Sequence, residues 1–209
     1  MLELTNVYLF IAASFLLCLA PGPDNIYVLT QGMTKSKKAA LITTFGLCSG
    51  LIIHTTAAAF GISVIFKTSE VAFNIVKYAG ALYLLYIAFQ AFRYRNQALD
   101  LSVQNSSSEL KKLFVKGFFM NVLNPKVSIF FLAFLPQFVS PENGNVPLQM
   151  VSLGAIFMIL TIIIFSSIGI AGNMLSAKLL EKPSIVKYMN ILTSFVLGAL
   201  AVKLALSSR

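Results

Sequence analysis

The chain has 209 residues, of which 57% are hydrophobic and 11% are charged, and its mean hydropathy is +0.83. Soluble domains usually carry about 25% charged residues, so this composition excludes a soluble nucleic-acid binder and indicates a protein that resides in lipid. The formal net charge of +9 is then best explained by basic loops on the cytoplasmic side of a membrane.

Six apolar segments of 22 to 27 residues are long enough to cross a bilayer, because a helix rises about 1.5 Å per residue and the hydrocarbon core is about 30 Å thick. A cleaved signal peptide is the alternative explanation of the first segment. The residues before its apolar run Val7–Ala20 (MLELTN) contain no Lys or Arg, which a signal peptide requires. We therefore predict an all-α membrane protein with six transmembrane helices. In chain order the segments are Leu4–Thr30, Ala40–Phe66, Val71–Phe92, Phe114–Val139, Leu148–Met174 and Ile185–Leu206.

Two of the six segments contain motifs that break a helix. PGPDN stands at residues 21–25 of the first segment, and NPK stands at residues 124–126 of the fourth. Proline removes a backbone donor and clashes with the carbonyl four residues earlier. The carbonyls freed by Pro21, Pro23 and Pro125 belong to Leu17, Leu19 and Asn121. Unpaired carbonyls are costly in hydrocarbon and are tolerated beside a polar cavity, so we predict that helices 1 and 4 are broken and that the breaks meet near the midplane.

The two halves of the chain share a pattern of motifs. The tetrapeptide IVKY occurs at residues 75–78 and again at residues 185–188, each time at the start of a third segment. Other matching positions are Pro23 with Pro125, Gly46 with Gly154, and Gly61 with Gly169. Because three spans per half is an odd number, the second half must insert upside down. The sequence thus predicts two inverted three-helix repeats, an arrangement typical of secondary transporters.

The predicted organisation is a first three-helix repeat at residues 1–96, a polar cytoplasmic linker at 97–112 and a second three-helix repeat at 113–209. The loops after the first, third and fifth segments, together with Lys116 and Lys187 at the start of the segments that follow, carry 11 of the 16 Lys and Arg residues. By the positive-inside rule these loops are cytoplasmic, which predicts that both termini are periplasmic. Ser106 in the linker should then face the cytoplasm and Asn143 the periplasm.

The two predicted breaks carry the candidate binding site. A half-helix N-terminus attracts a carboxylate and free carbonyls attract an ammonium, so a zwitterionic amino acid fits both. Asp24 is the only acidic residue deep in a segment, and Lys126 is the only basic residue beside a break. These two charges could pair structurally, or they could act separately on substrate and proton. The candidate substrate-binding residues are Pro21, Pro23, Asp24, Asn25, Asn121, Asn124, Pro125 and Lys126.

His54 is the only histidine of the chain. Gly46, Gly50 and His54 are spaced four residues apart on one face of the second segment, where small residues allow another helix to approach closely. Imidazole titrates near neutrality, so His54 is a candidate for proton coupling together with Asp24. A hydrogen-bonded packing residue is the other interpretation of His54.

The two cysteines, Cys18 and Cys48, form neither a CxxC motif nor a zinc-binding spacing, so no metal or other cofactor is expected. A membrane thiol-redox relay is the alternative function, because Cys18 lies three residues before Pro21. Its repeat-equivalent position is Met120, which cannot form a disulfide. The sequence also lacks a Gly-rich ATP-binding loop, which argues against a primary pump.

Several stretches resemble the LysE/RhtB family of amino-acid exporters: PGPDN, GLCSGLIIH, VKYAGALYLLYIAFQAFR and GFFMNVLNPKVSIFFLAFLPQF. The resemblance extends over the whole chain. It implies a secondary transporter, not an enzyme, that exports small neutral amino acids such as homoserine, threonine or leucine from a bacterial cell across the inner membrane by proton antiport. It also implies roles for Asp24, Asn124, Pro125 and Lys126. The expected partners are an amino-acid substrate, protons and the lipid bilayer, with a homodimer possible and no nucleic acid.

Overall fold

The computed structural model describes residues 2–62, 70–96, 110–174 and 183–206. Within these ranges the regular structure is helical and contains no strand. The α-helices are α1 (Leu4–Leu19), α2 (Pro23–Thr34), α3 (Lys37–Ala57), α4 (Glu70–Arg93), α5 (Leu110–Val122), α6 (Pro125–Ile129), α7 (Val146–Met174) and α8 (Pro183–Leu206). Two π-helical turns (Ala58–Ile62 and Phe130–Phe134) and two 3-10 turns (Leu135–Phe138 and Pro141–Asn143) complete the described structure. Most of the predicted linker (residues 97–109) and the end of the second predicted segment lie outside the described residues.

Both predicted helix breaks are present. The axes of α1 and α2 are bent by 57° at the PGPDN motif, and those of α5 and Pro125–Phe138 by 48° at the NPK motif. Gly22 is extended between the first two helices, and Pro23 occupies the first turn of α2, where a missing N–H costs nothing. At the second break the Asn124 side chain accepts a hydrogen bond from the backbone N–H of Lys126 and caps α6.

Three stretches are each long and apolar enough to cross a membrane: Lys37–Gly61, Asn74–Arg93 and Val146–Met174. The two bent pairs also qualify when each pair is counted as one span. The apolar part of the last helix, Asn190–Leu206, is shorter. The described residues therefore give up to five candidate spans, and the sixth span stays a prediction.

The surface of the helix bundle is strongly apolar. Leu82 on α4 is 67% exposed and Phe195 on α8 is 76% exposed, and large hydrophobic side chains are exposed on most other helices too. A soluble monomer rarely exposes such extensive apolar surface. Together with the long apolar helices, this surface makes the chain a multi-pass membrane protein.

The interior is organised by contacts between the two halves of the chain. Helices α1 and α2 pack on α7, α3 packs on α5 and α7, and α4 packs on α8. The rings of Phe10, Phe130 and Phe134 are fully buried in the core. Phe130 lies 5.9 Å from Phe10 and 5.1 Å from Phe134, measured between ring centroids. This aromatic cluster fixes the segment after the second break against α1.

Glycines set the close approach of α3 and α5. A Cβ added at Gly46 would collide with the carbonyl oxygen of Phe114, and one added at Gly50 would lie 2.8 Å from the side-chain oxygen of Asn121. The prediction of a close-packing face around Gly46 and Gly50 is confirmed. The match between Gly61 and Gly169 does not extend to their contacts with the described residues, because Gly169 is tightly packed and none of these residues lies within 4 Å of a Cβ added at Gly61.

Candidate functional site

The two helix breaks meet inside the bundle, as the sequence predicts. The side-chain amide of Asn121, at the end of α5, donates a 3.0 Å hydrogen bond to a carboxylate oxygen of Asp24 in the first turn of α2. The ammonium of Lys126, in α6, donates to the carbonyl oxygen of Ala20 at 3.0 Å. All three side chains are buried. Each break therefore contributes one charged group to a common buried site.

The ammonium of Lys126 binds backbone that the first break exposes. It also lies 3.4 Å from the carbonyl oxygen of Leu17, which is a carbonyl that Pro21 frees from helical pairing. Gly22 makes room for this arrangement, because a Cβ at that position would lie 2.9 Å from the lysine nitrogen. The sequence predicts that the freed carbonyls bind an ammonium, and in the structure the chain itself supplies one.

The two charged groups bind different partners. Asp24 accepts from Asn121 through one carboxylate oxygen, whereas Lys126 donates to the carbonyls of the first break. This geometry favours separate roles for the two charges over a direct ion pair. Among the described residues, the other carboxylate oxygen of Asp24 and the side-chain nitrogen of Asn124 make no hydrogen bond of good geometry, although the Asn124 side chain lies close enough to Asp24 to interact with its carboxylate.

Asn25 holds the first break together. Its side-chain oxygen accepts from the backbone N–H of Gly22 at 2.6 Å, and its nitrogen donates to the carbonyls of Cys18 at 3.2 Å and Ala20 at 3.0 Å. Both ends of the amide are thus committed to backbone atoms. The geometry assigns Asn25 to shaping the site, while Asn121 and Asn124 keep polar atoms available to it.

His54 joins the site through the second break. Its Nε2 atom lies 3.0 Å from the carbonyl oxygen of Asn121, which loses its α-helical partner at Pro125 and also accepts from the backbone N–H of Asn124 at 2.9 Å. A carbonyl oxygen only accepts, so Nε2 carries the hydrogen. His54 is therefore a hydrogen-bonded residue within the close-packing face of α3, and it connects to Asp24 through Asn121.

A small cavity of about 20 Å³ lies between the breaks, enough for about one water molecule. The residues that line it are Leu17, Cys18, Asp24, Leu51, Asn121, Lys126, Val127, Phe157, Thr161 and Phe165. The contribution of α7 through Phe157, Thr161 and Phe165 is not predicted by the sequence, because this helix carries no break or charge in its apolar run. This space is smaller than a free amino acid, which would need a wider cavity.

The thiols give no support to a redox relay. Cys18 and Cys48 are both free and buried, and the sulfur of Cys18 lies 3.4 Å from the hydroxyl oxygen of Thr161. A relay needs thiols that can meet a partner and exchange. The contact with Thr161 instead makes Cys18 a packing residue at the cavity wall.

In this multi-pass helical protein two broken helices bring opposite charges to one buried site, an arrangement typical of membrane transporters. The chain belongs to the LysE family, since the family model described as LysE type translocator matches residues 15–208. The resemblance found in the sequence motifs is thereby confirmed.

Curated relatives cover most of the chain. A homoserine/homoserine lactone efflux protein of Salmonella typhi is 31% identical over 159 residues, which is 76% of each chain. A leucine efflux protein of Enterobacter sp. (strain 638) is 26% identical over 204 residues, covering 96% of this chain and 95% of that protein. An uncharacterized membrane protein of Bacillus subtilis is 30% identical over 164 residues, 75% of this chain and 78% of its own. No solved structure gives a significant match.

Proposed function

We propose that this protein is a secondary transporter that exports small neutral amino acids, such as homoserine, threonine or leucine, across a bacterial inner membrane by proton antiport. The names of the relatives support amino-acid export. The observation that carries the proposal is the meeting of the two breaks, with Asp24 and Lys126 at one buried cavity. That cavity offers both polarities that a zwitterion requires.

Substrate binding is assigned to the polar atoms that line or approach the cavity. The second carboxylate oxygen of Asp24 can accept from the substrate ammonium, and the amide nitrogen of Asn124, which lies beside that carboxylate, can donate to the substrate carboxylate. Asn121 and Lys126 complete the polar lining. Pro21, Pro23, Pro125 and Asn25 contribute indirectly, because they create the breaks and hold their shape.

Proton coupling is assigned to Asp24, with His54 as the second candidate. A protonated Asp24 is neutral and an ionised one is negative, so proton release changes the charge that the buried site presents to a zwitterion. His54 is hydrogen-bonded to the backbone carbonyl of Asn121, and the side-chain amide of Asn121 is hydrogen-bonded to Asp24. These two contacts support a coupling between the protonation of His54 and that of Asp24. A proton would then enter from the periplasm in exchange for each substrate molecule that leaves the cytoplasm.

Alternating access is assigned to two inverted three-helix repeats that move against each other around the cavity. The pairing of equivalent third spans, α4 on α8, supports a two-fold relation between the halves. So does the packing of whole spans, with α1 and α2 on α7 and with α5 on α3. In this topology both termini are periplasmic. The side chain of Asn143 donates to Glu3 at 2.8 Å on that side, and Asn173 donates to the carbonyl of Gly32 at 3.0 Å on the cytoplasmic side. These contacts would open alternately.

Reconstitution of the purified protein into liposomes tests the proposal. A panel of neutral and basic amino acids should be loaded inside, and their movement measured with and without a proton gradient. We expect neutral amino acids to leave the liposomes faster when the proton gradient is directed inward, because protons then enter as the amino acid leaves. Movement that ignores the gradient would refute proton antiport, and failure to move any amino acid would refute the proposed function.

A further inference from the structure

We propose that Lys126 is a tethered cation that fills an ammonium-binding position of the site and thereby excludes amino acids with cationic side chains. The inference rests on the proposed function and assigns a determinant of substrate selectivity within it. It explains why the positive charge of the cavity is carried by a side chain of the protein: a fixed ammonium discriminates against substrates that bring a second one.

The position of the lysine nitrogen carries the inference. It is hydrogen-bonded to the carbonyl oxygens of Ala20 and Leu17 at 3.0 Å and 3.4 Å. Carbonyls released by a helix break are natural ligands of a cation in membrane transporters. The side chain of Lys126 is only 9% exposed, so its ammonium is held in this place. A second cation would have to share the same carbonyls.

The space around the ammonium is matched to it. Gly22 faces the lysine nitrogen, and a Cβ there would approach it to 2.9 Å. The backbone of Gly22 is extended, a conformation that any residue adopts. Glycine is therefore needed here because it lacks a side chain, and not because of its backbone conformation. The first break is therefore built to receive the Lys126 ammonium closely.

The charge balance of the cavity points the same way. The described residues that line it include one formal negative charge, on Asp24, and one formal positive charge, on Lys126. A zwitterion with a neutral side chain leaves this balance unchanged. A cationic side chain adds a positive charge beside Lys126 in a buried site, and like-charge contacts of this kind reject wrong ligands. Protonation of Asp24 makes the site more positive and strengthens the exclusion.

Pairs of amino acids that differ in charge but little in shape test the inference. Homoserine pairs with 2,4-diaminobutyrate, and norleucine pairs with lysine. Exchange of each compound by the wild-type protein in liposomes gives a ratio of cationic to neutral transport that is independent of the amount of active protein. We expect the ratio to be low in the wild-type protein and to rise about tenfold or more in Lys126→Gln.

Two further variants make the test specific. Lys126→Arg keeps the charge and should keep the low ratio even where its rate falls. Lys77→Gln, which changes a buried lysine in α4 that does not line the cavity, should have the wild-type ratio. Equal transport of both members of a pair by the wild-type protein, or an unchanged ratio in Lys126→Gln, would overturn the inference.

If the Lys126→Gln protein no longer transports, substrate binding is measured instead of exchange. The shift in unfolding temperature caused by each member of a pair then reports binding directly, and the cationic member should gain relative to the neutral one. Loss of binding of both members would assign Lys126 to holding the neutral substrate and would overturn the inference while leaving the proposed function intact. A wild-type protein that transports no amino acid would overturn the proposed function and this inference together.

Discussion

Asn121 donates a 3.0 Å hydrogen bond to the carboxylate of Asp24 across 97 positions of sequence. Its own carbonyl oxygen accepts from the imidazole of His54 at 3.0 Å. One residue at the second helix break thus connects the only deep carboxylate of the first break to the only histidine of the chain. The three residues come from three different helices, so the site depends on how those helices pack.

The packing of α3 on α5 gives a prediction about stability. Gly46→Ala places a methyl group against the carbonyl of Phe114, and overpacking of this kind lowers the free energy of unfolding by about 1–3 kcal/mol. Gly198→Ala is the matched control in α8, since no atom of the described residues lies within 4 Å of its added Cβ. The control should be as stable as the parent or slightly more stable because alanine favours helix. Thermal unfolding in detergent measures the stability of both variants. An equal loss of stability in Gly46→Ala and Gly198→Ala would contradict the close packing of α3 on α5.

The role of Asn25 gives a second prediction. Asn25→Ala leaves the N–H of Gly22 and the carbonyl of Cys18 without a side-chain partner, which should lower the free energy of unfolding by about 2 kcal/mol or more. Asn121→Ala removes one hydrogen bond to Asp24 and should reduce transport more than stability. Unfolding temperature and exchange rate of both variants should be compared. A stable Asn25→Ala protein with impaired substrate binding would make Asn25 a ligand of the substrate.

Topology is predicted by the distribution of basic residues. In a cysteine-free background, a new cysteine at Asn143 should react with a membrane-impermeant thiol reagent added to intact cells. A cysteine at Ser106, which lies outside the described residues, should react only after the cells are opened. The opposite labelling pattern would invert the topology.

The cysteine-free parent of that experiment also tests the thiols. Ser in place of Cys18 can keep a contact with the hydroxyl of Thr161, so the protein with both cysteines changed to serine should transport normally. Loss of transport with retained folding would show that a thiol takes part in function.

The separate partners of Asp24 and Lys126 give a prediction about the double variant. If the two charges formed a structural ion pair, Asp24→Asn combined with Lys126→Gln would recover much of what either single change loses. Because Lys126 binds carbonyls of the first break, we expect no such recovery of gradient-driven transport. Double-mutant analysis in one liposome assay measures the coupling, and near-complete recovery would favour the ion pair.

The backbone features of the site could be predicted from the sequence because proline and glycine act locally. The bends at Pro21–Pro23 and at Pro125 follow from the missing donors, and the contact face of Gly46 and Gly50 follows from their spacing. The side-chain features could not be predicted in the same way. That Lys126 binds carbonyls and not Asp24 depends on how far its long side chain reaches across the packed fold.

Other parts of the site left no signal in the sequence. Thr161 and Phe157 line the cavity from the middle of α7, an apolar helix in which neither residue stands out by charge or spacing. Gly22 could be taken as a residue of the turn alone, yet its main effect is to leave space for the ammonium of Lys126. Such contributions arise from contacts between helices that are distant in sequence, and only the three-dimensional structure reveals them.

The most direct test of the account compares the wild-type protein with Asp24→Asn in the same liposome assay. Asparagine keeps the size of the side chain and can still accept from Asn121, but it cannot bind or release a proton in the accessible range of pH. We predict that the wild-type protein shows efflux driven by a proton gradient, and that Asp24→Asn loses it while still exchanging substrate for substrate. Normal gradient-driven efflux by Asp24→Asn would contradict the account.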